Sequence, residues 1–167
     1  MAGWCVQRQA RIPVCVRTRT GRRCPGRAQE GESALLDPGV LIAAALSPKG
    51  APAGLLRSWR EGGYEMVVSP KLLGELERVL LRPEFRTYLS EEEARAYAAL
   101  FCRFAIIAED LPEVSGLTPD PGDDCLVSLA RAAGVGCLVS GDPHLTELAD
   151  PGPPVPTPRA FLDRLLT

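Results

Sequence analysis

From Ala34 onward the chain switches repeatedly between short apolar runs and longer segments with a helical period. "ALL" reads as a short strand cut off by Asp37-Pro38-Gly39, and "VLIAAALS" as the first turns of a helix. "PAGLLRSWREGG" is amphipathic and stops at Gly62-Gly63, a C-terminal helix signal. "YEMVVS" is a β-rich run leading into Pro70. "PKLLGELERVLLR" sets Leu72, Leu73, Leu76, Val79 and Leu80 on one helical face, with proline at its start and Pro83 just beyond. "SEEEARAYAALFCRF" opens with Ser90 as N-cap and three glutamates in the first turn, where the helix dipole favours negative charge. "AIIA" predicts a third strand, "GDDCLVSLARAAG" a helix ending at Gly134, and "GCLVS" a fourth strand. "VPTPRAFLDRLL" predicts a short extended piece and a last helix, after the loop-forming "DPGPPVPTP". Strands separated by helices predict a parallel sheet covered on both faces, a three-layer α/β/α sandwich without internal repeats.

Composition bounds this picture. The 167 residues suffice for one domain with a real core, and 46% hydrophobic with 24% charged residues is ordinary globular usage. No apolar run approaches the roughly 20 residues of a membrane span. Charge is unevenly divided. Residues 1–33 carry seven arginines (8, 11, 17, 19, 22, 23, 27) against Glu30 and Glu32, a balance of +5, and the remainder holds 12 basic residues against 19 acids, a balance of −7. The first 33 residues show neither apolar period, so they are expected to form a disordered basic tail ahead of a domain spanning 34–167. They lack the apolar core of a secretory signal. Cys5, Cys15 and Cys24 form no CxxC pair, and Cys102, Cys125 and Cys137 lie within apolar segments, where cysteine usually serves as a small core residue. Reduced thiols and a cytoplasmic location are the expectation. His144 is the one histidine, which leaves little for a histidine-based zinc site or triad.

The carboxylates carry the chemistry. In parallel α/β sheets ligands gather beyond the carboxyl ends of the strands. Asp37 directly follows the first strand and Asp142 follows the fourth after one glycine, so both would face one edge. Glu75 lies within the third helix, nearer its apolar face than Glu77, and Asp124 lies in the first turn of a later helix beside Asp123. Each has a plainer reading: Asp37 as an N-cap, Glu75 as a solvated helix residue, Asp123 and Asp124 as dipole partners, Asp120 as a loop acid, and Asp142 as a turn residue. Clustered carboxylates resist ionising together unless a cation sits among them. Hard oxygen donors without histidine or cysteine favour Mg²⁺ or Mn²⁺, which activates water and offsets charge on phosphate oxygens.

In their order and setting, "LLDPGVLIAAALS", "VVSPKLLGELERVLLRPEF", "DPGDDCLVSLARAAGVGCLVSGDPHL" and "PVPTPRAFLDRL" resemble successive blocks of a PIN domain, most closely the VapC-like ribonuclease toxins of bacterial toxin–antitoxin pairs. The resemblance covers about residues 34–167. It implies a metal-dependent endoribonuclease with Asp37, Glu75, Asp124 and Asp142 as catalytic and Mg²⁺- or Mn²⁺-binding acids, with Ser140 and Asp123 in support. It further implies an RNA substrate, a cognate antitoxin protein and homodimer formation. Two positions depart from the family pattern. Gly39 stands where an asparagine is common, which is expected to loosen the following helix start, and His144 stands where many relatives have another acid. Arg57, Arg60, Arg82 and Arg86 are either RNA contacts or solvated surface. The alternatives are a degenerate PIN domain that binds RNA or protein without cutting, and a DNA-directed nuclease of the same group. A haloacid-dehalogenase-like phosphatase would need a second acid where Gly39 stands.

Overall fold

The structure, a computed structural model, describes residues 32–112, 116–118, 121–150 and 152–167. Four strands form one parallel sheet: β1 (Ser33–Leu36), β2 (Glu65–Val68), β3 (Ile106–Ile107) and β4 (Cys137–Val139), in the order β3-β2-β1-β4. The helices are α1 (Pro38–Leu46), α2 (Ala51–Arg60), α3 (Pro70–Leu80), α4 (Glu91–Phe104), α5 (Pro121–Ala133), α6 (Pro143–Thr146) and α7 (Pro158–Leu165), with a 3₁₀ turn at Pro83–Phe85. The expected α/β sandwich is therefore present. Ala34, Leu35 and Leu36 are all buried, as are Met66, Val67 and Val68, so side chains on both sheet faces are covered.

The chain steps from β1 to β2 to β3 in one direction, then returns past β1 to β4. Right-handed crossovers put α5, the return helix, on the face opposite α1–α4. The reversal falls between β1 and β4, and such a switch point opens a crevice at the strands' carboxyl ends. Register is explicit there: Leu35 pairs with Leu138 and Leu36 with Val139.

Helix ends follow their sequence signals. Ser69 accepts from Leu72 N to cap α3, and Ser90 and Glu93 form a reciprocal capping box on α4. Trp59 stacks on Phe101 at 5.4 Å between ring centroids, and Phe161 of α7 meets Tyr64 edge-on at 5.2 Å. Residues 154–156, the expected extended piece, lie beside β4 through Leu138 N to Pro154 O (3.0 Å) and Ser140 N to Pro156 O (3.3 Å). Prolines suit this rim because they need no ladder donor.

Some expectations shift. Of the three cysteines placed in apolar segments, Cys137 is buried, Cys125 is half-buried and Cys102 is exposed on α4. Apolar neighbours in sequence do not fix which helical face a residue occupies. The segment around His144, for which the pattern predicts no element, forms the single-turn α6. Residues 1–31 of the expected tail lie outside the described residues. Ser33 opens β1, and Glu32 forms an ion pair with Arg164 of α7.

Candidate active site

The ladder between β1 and β4 runs one residue past the strands. Asp37 N donates to Val139 O at 3.0 Å, so Asp37 and Ser140 stand side by side at the carboxyl edge. Ser140 is fully buried, and its hydroxyl donates to Asp37 Oδ2 at 2.5 Å while accepting from Asp142 N at 3.0 Å. One small side chain thus joins the segments that follow two different strands.

Both acids also cap helices. Asp37 Oδ1 accepts from Gly39 N at 2.7 Å at the start of α1, and Asp142 Oδ1 accepts from His144 N at 2.8 Å at the start of α6. The cap reading and the site reading are therefore compatible, because a carboxylate oxygen that accepts one hydrogen bond keeps a second lone pair. Gly39 does not loosen α1: its N–H is held by Asp37, and a Cβ there would crowd Asp37 Oδ1 at 3.3 Å.

Asp124 behaves differently. It is buried, with Oδ2 accepting from Gly116 N at 2.7 Å and Oδ1 from Thr118 N at 2.6 Å and the Thr118 hydroxyl at 2.8 Å. Desolvation pushes its pKa up, but the donors of Thr118, Gly116 and Leu117 outweigh this and hold the carboxyl below its ordinary value. These bonds occupy Asp124 in fastening the segment 116–118 onto α5. Asp123, one residue earlier, is half-buried.

Glu75 lies on the exposed side of α3, its side chain 51% accessible, 3.7 Å from Arg78 across one helical turn. Proximity to Leu72 and Leu76 in sequence suggested a more inward position, but the buried face of α3 is filled by Leu72, Leu73, Leu76 and Leu80. Among the described residues no three acid, histidine or cysteine side chains gather closely enough to hold a metal ion. The structure thus brings together Asp37, Ser140 and Asp142, seals Asp124 under a loop and leaves Glu75 beside solvent. Asp120 lies outside the described residues, and His144 is exposed.

Of the four arginines weighed as RNA contacts, Arg57, Arg60 and Arg82 are exposed. Arg86 instead donates to the carbonyls of Leu89 (3.0 Å) and Leu80, closing the turn between α3 and α4. A shallow cleft of about 350 Å³, lined by Ala130, Arg131, Gly134 and Gly152, lies at the far end of α5, ahead of β4 and away from the acids.

A protein-family model described as "PIN domain" matches residues 33–144. Among solved structures, the chain is similar to VapBC2 from Rickettsia felis, solved bound to a DNA fragment from its promoter. The identity is 12% and the TM-score 0.52, covering 75% of this chain and 98% of that one. It is also similar to PAE2754 from Pyrobaculum aerophilum at 16% identity and a TM-score of 0.56, covering 83% and 92%. At these identities the likeness is one of fold. A search of curated proteins gave no match.

Proposed function

Because this chain belongs to the PIN-domain family, a family of nucleases, we propose that it is a divalent-metal-dependent endoribonuclease acting as the toxin of a toxin–antitoxin pair. The supporting observation is the Ser140 bridge, which draws Asp37 and Asp142 together at the switch point of the sheet. Two carboxylates on an open edge suit Mg²⁺ or Mn²⁺ better than a closed cage would, since Mg²⁺ keeps several waters and takes one or two carboxylates plus substrate phosphate. When bound, such an ion supplies Lewis acidity toward phosphate oxygens and lowers the pKa of water.

The chain's own residues divide the work. Asp37 and Asp142, with Asp124 at the start of α5, would hold the ion. Ser140 fixes the rotamer of Asp37, and the His144 amide fixes that of Asp142. Asp123 is a supporting acid in the same first turn of α5, where Asp124 also fastens the 116–118 segment. Glu75, exposed beside Arg78, would act either as a direct ligand or through bound water. A cognate antitoxin would cover the acidic edge, and a homodimer is the expected assembly.

The test is cleavage of single-stranded RNA and single-stranded DNA side by side, with Mg²⁺, with Mn²⁺ and with chelator. RNA cleavage that is lost with chelator, and in both Asp37→Asn and Asp142→Asn variants that remain folded, is expected. Full activity in both variants would remove the assignment. A second reading, an inert PIN domain that binds without cutting, draws on the engaged states of Asp124 and Glu75. It predicts RNA binding with no metal-dependent cleavage.

A further inference from the structure

The stretch "RFAIIAEDL" sets an arginine and a phenylalanine ahead of a β-branched pair and two acids after it. Its centre is β3, an end strand of the sheet. Backbone groups on the outer side of an end strand are open to pairing with another chain unless something covers them. At the opposite end of the sheet β4 is covered, since Leu138 N donates to Pro154 O and Ser140 N to Pro156 O. On β3, Ala108 N donates to Val68 O at 2.8 Å, and Ile106 pairs with Val67. Successive residues of a strand turn their backbone groups to opposite sides, so residues 106 and 108 face β2. The N–H and C=O of Ile107 therefore face outward.

The side chains here are open as well. Phe104 is 61% exposed, Ile107 47% and Leu111 39%, three of the five large apolar side chains that stand exposed among the described residues. Apolar side chains gathered in this way mark an interaction surface, whereas single scattered ones do not. Charge selects the partner. Arg103 is exposed ahead of the strand, its guanidinium 5.3 Å over the Phe104 ring, and Glu109 is exposed just after the strand. The edge is thus basic where it begins and acidic where it ends. Laid antiparallel against a copy of itself, about a two-fold axis at Ile107, it brings Arg103 of each copy toward Glu109 of the other. Unlike charges then meet twice, whereas a parallel arrangement would oppose like charges. Ile107 facing its own counterpart can exchange both N–H to C=O bonds, the hydrogen-bonded pair of an antiparallel ladder.

We propose that the β3 edge is a homodimer interface, in which two copies pair antiparallel through Ile107 and join their four-stranded sheets into one. This rests on the homodimer expected above and names the face that forms it. Phe104 of one copy then lies beside residues 110–111 of the other, which shields both apolar groups from water. Antiparallel pairing also sends the two carboxyl edges in opposite directions, so Asp37 and Asp142 of each copy stay open to substrate.

The test is sedimentation velocity on the full chain across a dilution series. At about 100 µM, where a micromolar Kd fills most sites, the mass should be twice 17.9 kDa, falling to the single chain on dilution. Ile107→Lys should stay monomeric throughout, because a lysine on an edge strand blocks pairing. Arg103→Glu and Glu109→Arg should each raise the dimer Kd about tenfold, since symmetry applies each change twice, and the two together should return it to within about threefold of the parent. All three side chains are exposed, so the variants should keep the parental circular dichroism. Hydrogen exchange at residues 105–109 should slow as the parent is concentrated. A monomeric parent would overturn both the homodimer and this interface. A dimer that survives Ile107→Lys and both charge reversals would overturn this interface alone. Equal protection of the Ile107 amide in monomer and dimer would mean that another segment of the chain covers the edge, and would overturn it too. None of these readouts requires cleavage, so the nuclease reading fails or stands separately.

Discussion

Ser140 shows how much a single buried hydroxyl can organise: it donates to one acid and accepts from the backbone of another, 103 residues apart in the first case. Ser140→Ala should lower kcat/KM about 10–100-fold with little loss of fold, the usual range for a partner that orients a ligand. Asp124→Asn should lower the urea midpoint, because it disturbs the donors of Gly116 and Thr118. The Asp124 contribution also has a pH signature. Its folded pKa lies below the ordinary 3.8, so its stabilisation is complete above that pH and is lost as pH falls through the depressed value. Acid titrations of the parent and Asp124→Asn should therefore diverge above pH 3.8 and converge below it. At this scale the sequence revealed which carboxylates follow strands, and hence Asp37 and Asp142. It did not reveal that Asp124 meets the 116–118 segment, because those hydrogen bonds depend on how the loop folds back onto α5.

Elements with strong local signals formed where the pattern predicted. α3 and α4 carry side-chain caps, and α4 adds a full capping box. Ser90→Ala should destabilise the protein by about 1 kcal/mol, read by urea unfolding. α7 is secured differently: Phe161 is buried against Tyr64, and Arg164 lies 5.0 Å over the Phe161 ring while pairing with Glu32. Phe161→Ala should cost about 3–5 kcal/mol, since the cavity would open at the contact of α7 with β2's entry. Weak signals gave way to tertiary context. "AIIA" became a strand of only two residues, with Ile107 half-exposed on the sheet edge, and Pro143–Thr146 became a helix too short for any period to announce. The strand-like placement of residues 154–156 rests on backbone bonds to β4 that no side-chain pattern encodes.

For the molecule as a whole, stability should decline in alkali. Burial pushes the Cys137 thiol up from 9.0 to about 11, with Arg164 opposing the shift. A raised folded pKa means full stability below pH 9.0 and a loss as pH climbs from there toward 11, where only the unfolded chain ionises freely. The urea midpoint should fall across that interval, and Cys137→Ala should lessen the fall. No single helix among the described residues is long and apolar enough to cross a membrane. By itself the sequence determined the helices, the parallel α/β architecture and the two acids that end neighbouring strands, because periodicity, capping and strand-end position are local properties of the chain. The tertiary structure alone decided that Ser140 joins those acids, that Asp124 accepts from the 116–118 segment, that Glu75 faces solvent and that Lys71 reaches across to α5. Each of these depends on the strand order β3-β2-β1-β4 and on the direction in which side chains leave packed helices, and both are set by burying the apolar faces together.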